Sequence, residues 1–253
     1  MIELILATLA SLAAGFIDSL VGGGGLILVP ALFALYPGAP PATLLGTNKV
    51  AAIWGTALAA VQFSRRVDPP WRLLAVAAPA ALAGSFAGAW TLSRIDPSFM
   101  RQLLPVLLIA VLAYSLANRD LGLNHAPRQP PGRERAIAGV IGALVGWYDG
   151  FLGPGTGSFF IFLLVRLLGF DFLHASAVAK ILNTATNLAA LLLLAAKGQV
   201  WWQLGLTLAA ANMLGSLLGA ALALRHGARL IRGLFLVVVS LLILKTGYDA
   251  LLQ

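Results

Sequence analysis

Asp18 and Asp149 are carboxylates embedded in apolar sequence, and each stands four residues ahead of a glycine cluster. An ionised side chain in hydrocarbon is expensive, so each reads as functional until a partner is shown. Two roles are open. A buried carboxylate can carry a proton through the protein, or it can accept from unwound backbone N–H groups nearby and fix a helix break. Lys49 and Lys180 offer the complementary chemistry, as ammonium groups near the start of apolar runs. Either they contact an anion or counter-ion inside the protein, or their long stems snorkel to the interface. Lys180, Asn183 and Asn187 follow the i, i+3, i+7 spacing of one helix face, which Thr184 shares, so an otherwise apolar helix carries a polar stripe. Asn48, with Thr47 and Thr56, partly repeats that stripe beside Lys49.

The glycine clusters supply a different kind of group. Gly22, Gly23, Gly24 and Gly25 follow one another directly, and Gly153-Pro154-Gly155-Thr156-Gly157 stands in the corresponding place after Asp149. Both should break a helix, and a helix restarting near Leu26 or Ser158 would present N–H groups and a positive dipole end that suit an anion. The alternative is close helix packing through small residues, the reading given to Gly84-x-x-x-Gly88 and Gly215-x-x-x-Gly219. Packing requires one small residue per turn, not four in succession, so the clusters are read as unwound breaks.

The elements that must hold these groups are helices in a bilayer. Of 253 residues, 60% are hydrophobic and only 10% charged, too little polar surface for a soluble domain of this length. Apolar runs cover about 2 to 21, 26 to 36, 43 to 63, 71 to 92, 99 to 117, 136 to 152, 157 to 170, 175 to 196, 201 to 224 and 230 to 251. Several reach the ~20 residues of a helical span. The predicted fold is all-α and polytopic, with 8–10 membrane segments that include two short Gly-broken helices. Trp71, Trp201 and Trp202 open apolar runs and read as interface anchors.

The chain also lands on itself when shifted by 131 residues, the separation of Lys49 and Lys180. Gly15-x-x-Asp18-x-x-x-Gly22-x-Gly24 falls on Gly146-x-x-Asp149-x-x-x-Gly153-x-Gly155, and Arg94 and Arg101 fall on Arg225 and Arg232. Duplicated membrane halves with broken helices are a common construction of secondary transporters. The expected organisation is therefore a first half over 1–117, an Arg- and Pro-rich cytoplasmic linker over 118–135, and a homologous second half over 136–253. If the short runs are re-entrant, each half has four spans and the halves are parallel. If they cross, each has five and the second half is inverted, an arrangement that concentrates Arg on the linker side.

Other functions fit poorly. A net charge of +8 sits mostly in short loops between apolar runs, which argues topology and not nucleic-acid binding. Glu3 and no Lys or Arg precede the first apolar run, so a cleaved signal peptide is not expected. With no Cys there is no disulfide, thiolate metal site or Cys nucleophile. His125, His174 and His226 look scattered and suggest no ligand cluster; no metal and no cofactor is expected. An intramembrane aspartyl protease would need two aspartates in different contexts, typically with Gly-x-Gly-Asp, and that sequence is absent.

The pattern Gly-x-x-Asp-x-x-x-Gly-x-Gly-Gly, followed by Pro30, Gly46-Thr47-Asn48-Lys49 and Gly55, resembles the sulfite exporter TauE/SafE family, also grouped with toluenesulfonate uptake permeases. The likeness covers essentially the whole chain, although Ala179 stands in place of the Asn before the second Lys, and Pro154 and Thr156 interrupt the second glycine cluster. The resemblance implies an inner (plasma) membrane, multi-pass transporter of sulfite or organosulfonates. On this reading Gly22 to Gly25, Gly153, Gly155, Thr156 and Gly157 offer N–H groups, Lys49 and Lys180 charge, and Asn48, Asn183 and Asn187 hydrogen bonds, with Asp18 and Asp149 coupling to protons. The expected partners are the anion, the lipid bilayer and the coupling proton, with a homo-oligomer left open. A passive anion channel is the alternative.

Overall fold

The computed structural model describes residues 1–94, 125–127 and 129–251. The expected run 99 to 117, Arg101, most of the 118–128 stretch of the linker and the C-terminal Gln253 lie outside the described residues.

Every other apolar run forms a helix. Helix α1 spans Ile2–Val21, α2 Gly25–Leu35, α3 Pro41–Ser64 and α4 Trp71–Leu92. After the linker come α5 over Pro131–Phe151 and α6 over Thr156–Leu163, which continues as a π-helical turn over Leu164–Leu168. Helix α7 spans Phe172–Ala196, and α8 spans Trp202–Leu251 with a break at Gly227. The starts follow local chemistry: Pro41 and Pro131 occupy first-turn positions where no N–H is missed, and Asp171 caps α7 by accepting from the His174 N–H at 2.7 Å. Among the described residues, α1, α3, α4, α7 and Trp202–Gly227 of α8 are long and apolar enough to cross a membrane. Trp71, Trp201 and Trp202 are exposed.

Two glycine breaks end α1 and α5 as expected. Gly22 closes α1 in the left-handed region (φ 79°), its N–H bonded to the Asp18 carbonyl, and Gly153 (φ 88°) turns the chain after α5. Beyond each break the short helix folds back. Gly24 lies against Ala14, and Leu28 and Leu32 share a core cluster with Ala7 and Ala14, so α2 returns towards the end where α1 began. In the second half Phe159 of α6 packs edge-on to Tyr148 of α5, with ring centroids 5.2 Å apart. Each short helix thus lies back beside the helix that precedes it.

Small residues then bring the long helices together. Helices α4 and α5 run side by side with Gly142 against Ala77, Gly146 against Ala81 and Gly150 against Ser85. Helices α1 and α8 do the same, with the Ser11 hydroxyl on the Leu208 carbonyl (2.7 Å), Gly15 against Asn212 and Gly215 against Leu12. A Cβ added at Gly88 would sit 1.9 Å from the Trp147 carbonyl oxygen, and one at Gly215 2.0 Å from that of Leu12. The packing reading of Gly84, Gly88, Gly215 and Gly219 is therefore correct: their missing side chains let backbones touch. Deeper, the Ser85 hydroxyl donates to the Thr186 carbonyl (2.7 Å) and the Ser216 hydroxyl to the Gly55 carbonyl (2.6 Å).

The helix ends gather into two faces. On one, the Tyr36 ring after α2 meets Trp201 before α8 (5.6 Å), and Lys197 at the end of α7 donates to the Ser93 hydroxyl at the end of α4 (2.6 Å). On the other, the linker's Ala126 N–H donates to the Gly169 carbonyl (2.9 Å), and Phe172 meets Phe235 beyond the Gly227 break (5.5 Å). Helix α4 separates Arg65, Arg66 and Arg72 at its start from Arg94 at its end.

Candidate functional site

The two breaks meet in the interior. A Cβ on Gly22 would lie 2.3 Å from the Gly157 carbonyl carbon, and one on Gly157 2.4 Å from Gly22 Cα. Two hydrogen bonds fasten the crossing: Ser158 N–H to the Gly22 carbonyl (3.1 Å) and Ser158 hydroxyl to the Val21 carbonyl (2.8 Å). The Tyr148 hydroxyl donates to the Pro154 carbonyl (2.5 Å), which holds the second break against the end of α5.

The four charged residues singled out by the sequence are paired crosswise. Lys49 of α3 donates to Asp149 Oδ2 of α5 at 2.7 Å, and Lys180 of α7 lies 3.2 Å from Asp18 Oδ2 of α1 and also donates to the Asp18 carbonyl. Each lysine finds its partner in the other half of the chain. Both ammonium groups are shut away from the surface, Lys49 at 3% exposure and Lys180 at 0%. The snorkelling alternative for these lysines is thereby overturned, because a stem reaching the interface would leave its head exposed. Asp18 does more than pair: its Oδ1 accepts the Gly24 N–H at 3.3 Å, so it also braces the first break. Asp149, 2% exposed, takes the Lys49 ammonium instead.

A cavity of about 30 Å³ opens at this crossing, room for about two waters or one small ion. Its wall includes Asp18, Asn48, Lys49, Asp149, Thr156, Asn183 and Asn187 together with Gly22, Gly24, Gly25, Gly153 and Gly157. Of the residues expected to form a site, Gly23, Gly155 and Lys180 are not on that wall; Lys180 is directed to Asp18. The wall adds Thr56 and Asn212, and Asn212 carried no signal in the sequence, since its counterpart at the 131-residue offset is Ala81. Asn212 Nδ2 donates to the Ser11 carbonyl at 3.1 Å, which ties α8 to α1 beside the cavity. Asn48 is 5% exposed, and its Oδ1 has no hydrogen-bond partner among the described residues. A buried, unbonded acceptor is costly to the fold, by ~1–3 kcal/mol, and so it is a place for a donor to bind. Gly153 completes the arrangement, because a Cβ there would press to 3.1 Å from the Lys49 ammonium nitrogen.

One expectation needs correcting away from this cavity. His125 and His174 are not scattered: their rings stack 3.9 Å apart at 28°, and both lie beside Asp171. The fold brings the linker onto the start of α7, a proximity that 48 intervening residues of sequence could not announce. Burial, and then the neighbouring His174, hold the His125 imidazole below its ordinary pKa, against the opposing pull of Asp171.

Comparison with known proteins places this architecture. A family model described as "Sulfite exporter TauE/SafE" matches residues 7–246. The chain is 38% identical over 242 residues to the "Probable membrane transporter protein YfcA" of Escherichia coli K12, covering 95% of this chain and 88% of the relative. It is 37% identical over 240 residues to a "Probable membrane transporter protein" of Haemophilus influenzae, covering 93% and 91%. A "Probable membrane transporter protein ORF9" of a Sinorhizobium species is 36% identical over 233 residues, covering 92% and 87%. No solved structure matches. These are transporters and not enzymes, and with several helices able to span a bilayer the chain is a multi-pass membrane protein. On the family match and these three relatives, the chain belongs to the sulfite exporter TauE/SafE family of membrane transporters.

Proposed function

We propose that the chain exports small anions, sulfite or organosulfonates, across the inner membrane by alternating access, with the site where two homologous halves of opposite orientation meet. The carrying observation is the crosswise pairing Lys49–Asp149 and Lys180–Asp18 around a cavity at two crossed helix breaks. Two ammonium groups and two carboxylates sum to zero, so an arriving anion must either displace a carboxylate from its lysine or enter with a proton that neutralises one. Lys49, on the cavity wall, is the first contact; Asn48, Asn183 and Asn187 supply hydrogen bonds; the break backbones supply N–H groups. Asp149, freed from Lys49, takes the proton. Lys180 acts through Asp18, whose carboxylate braces the first break.

Inverted orientation is supported by helix direction. Contacts at Ser11–Leu208 and Gly15–Asn212, and at Val50–Gly205 and Gly55–Asn212, make α1, α3 and the first part of α8 co-directional, while α4 lies alongside α5 in the same way. The Arg-rich α3–α4 turn then shares a face with the linker, which the positive-inside rule assigns to the cytoplasm. An interior-negative potential favours exit of an anion by roughly 2.3 kcal/mol per net charge per 100 mV, a drive that a proton leaving with the anion reduces by one charge.

The test is flux in proteoliposomes against a panel of sulfite, sulfonates, sulfate and chloride. Saturable flux of sulfite or a sulfonate, with chloride excluded, is expected. Flux that rises linearly with concentration and passes chloride as well would establish a passive channel instead.

A further inference from the structure

His125, Asp171 and His174 stand apart from the cavity and take no part in the transport site. His125 belongs to the short described piece of the linker, which is pinned: the Ala126 N–H donates to the Gly169 carbonyl at 2.9 Å, and the His125 ring packs on Phe170 at 5.2 Å. His174 lies in the first turn of α7. Asp171 holds it twice, accepting the His174 N–H at 2.7 Å and facing Nδ1 at 2.8 Å. That contact sets Nδ1 and a carboxylate oxygen on the same side of the ring, so an ion taken between them replaces the Nδ1 proton. The His125 and His174 rings stack 3.9 Å apart, and one ligand-capable atom from each of the three residues lies within 4.8 Å of the other two.

We propose that His125, His174 and Asp171 bind one divalent transition-metal ion of the zinc class, fastening the linker to the start of α7. Donor atoms around tetrahedral zinc sit roughly 3.3 Å apart, given bonds of about 2.0–2.2 Å. The ion must draw these atoms closer than the 4.8 Å within which they lie, and His125, which is exposed, leaves the ring stack to reach it. Two imidazoles and one carboxylate select zinc, cobalt, nickel or copper over magnesium or calcium, which prefer oxygen ligands throughout. Water completes the coordination. The consequence is mechanical, since an ion here joins the segment between the halves to the helix that carries Lys180.

The experiment uses the full-length protein in detergent with any affinity tag removed and metal stripped by chelator. Zn²⁺ is titrated by calorimetry, and Co²⁺ by its visible absorption. One Zn²⁺ per chain is expected, with affinity falling at least tenfold in His125→Ala and in His174→Ala and unchanged in His226→Ala. Asp171→Asn keeps the helix cap but loses the carboxylate and should weaken Zn²⁺ as well. Saturating Zn²⁺ should raise the Tm of the parent and of His226→Ala but not of the other variants. No binding, or binding that survives both His125→Ala and His174→Ala, overturns the proposal. The readout does not involve flux, so it stands or falls separately from the transport function.

Discussion

At the scale of the residue, Lys49 and Asp149 describe a balance that a single substitution upsets. Removing one partner of a buried ion pair leaves the other charge unpaired, at a cost of ~3–5 kcal/mol. Lys49→Gln should therefore abolish transport and also lower the detergent Tm by roughly 10 °C. Lys49→Gln combined with Asp149→Asn should recover most of that Tm while transport stays absent. Flux and thermal melting measured on the three proteins decide it; wild-type flux in the double variant would remove Lys49 from the mechanism. Asp149→Asn alone tests the proton: if Asp149 carries it, flux that remains loses its pH dependence, and an unchanged pH profile in a stable, active variant excludes that role. Gly153 adds a steric test, for Gly153→Ala combines a left-handed backbone with a Cβ 3.1 Å from the Lys49 ammonium. It should reduce flux severely, whereas Gly38→Ala, with nothing within 4 Å, should leave flux unchanged.

At the scale of the element, the short helices α2 and α6 carry the topology. Because α1 runs in the direction of α8 and α5 in that of α4, corresponding points in the two halves should open on opposite sides of the membrane. The chain has no cysteine, so a single introduced thiol reports its own side. A membrane-impermeant maleimide applied to intact cells should label Gly38→Cys, before α3, and spare Gly132→Cys, at the start of α5, until the membrane is opened. Labelling of both from outside would refute the inverted orientation. Much of this level was legible in the sequence: the apolar run 71 to 92 is the observed α4, and glycine clusters located both breaks because neither four consecutive glycines nor glycines on either side of Pro154 hold a helix. What was not legible came from contacts between elements. The sequence left open whether α2 crosses or folds back, and its hairpin with α1 shows only in Gly24 lying on Ala14. Asn212 and the His125–His174 stack escaped for the same reason: neither has a local pattern, and both are made by helices meeting from distant parts of the chain.

At the scale of the whole molecule, the crosswise pairs make each half incomplete. Asp149 stands 100 residues after Lys49, and Lys180 stands 162 after Asp18. Expressed alone, the segment up to residue 127 should be degraded, while the two segments co-expressed as separate chains should recover a stable, co-purifying complex; membrane abundance by immunoblot is the measure. A first half that accumulates to normal levels by itself would contradict that dependence. The same pairing sets a clock during synthesis. At ~5–20 residues per second, Lys49 waits roughly 5–20 s before Asp149 leaves the ribosome, and Asp18 waits longer for Lys180. Through that interval the membrane holds two unmatched charges, each costing a few kcal/mol at mid-bilayer depth. The nascent first half must therefore be sheltered, by water in the insertion machinery or by lingering near the headgroups, and it settles to its final depth only when the second half arrives with the opposite charges.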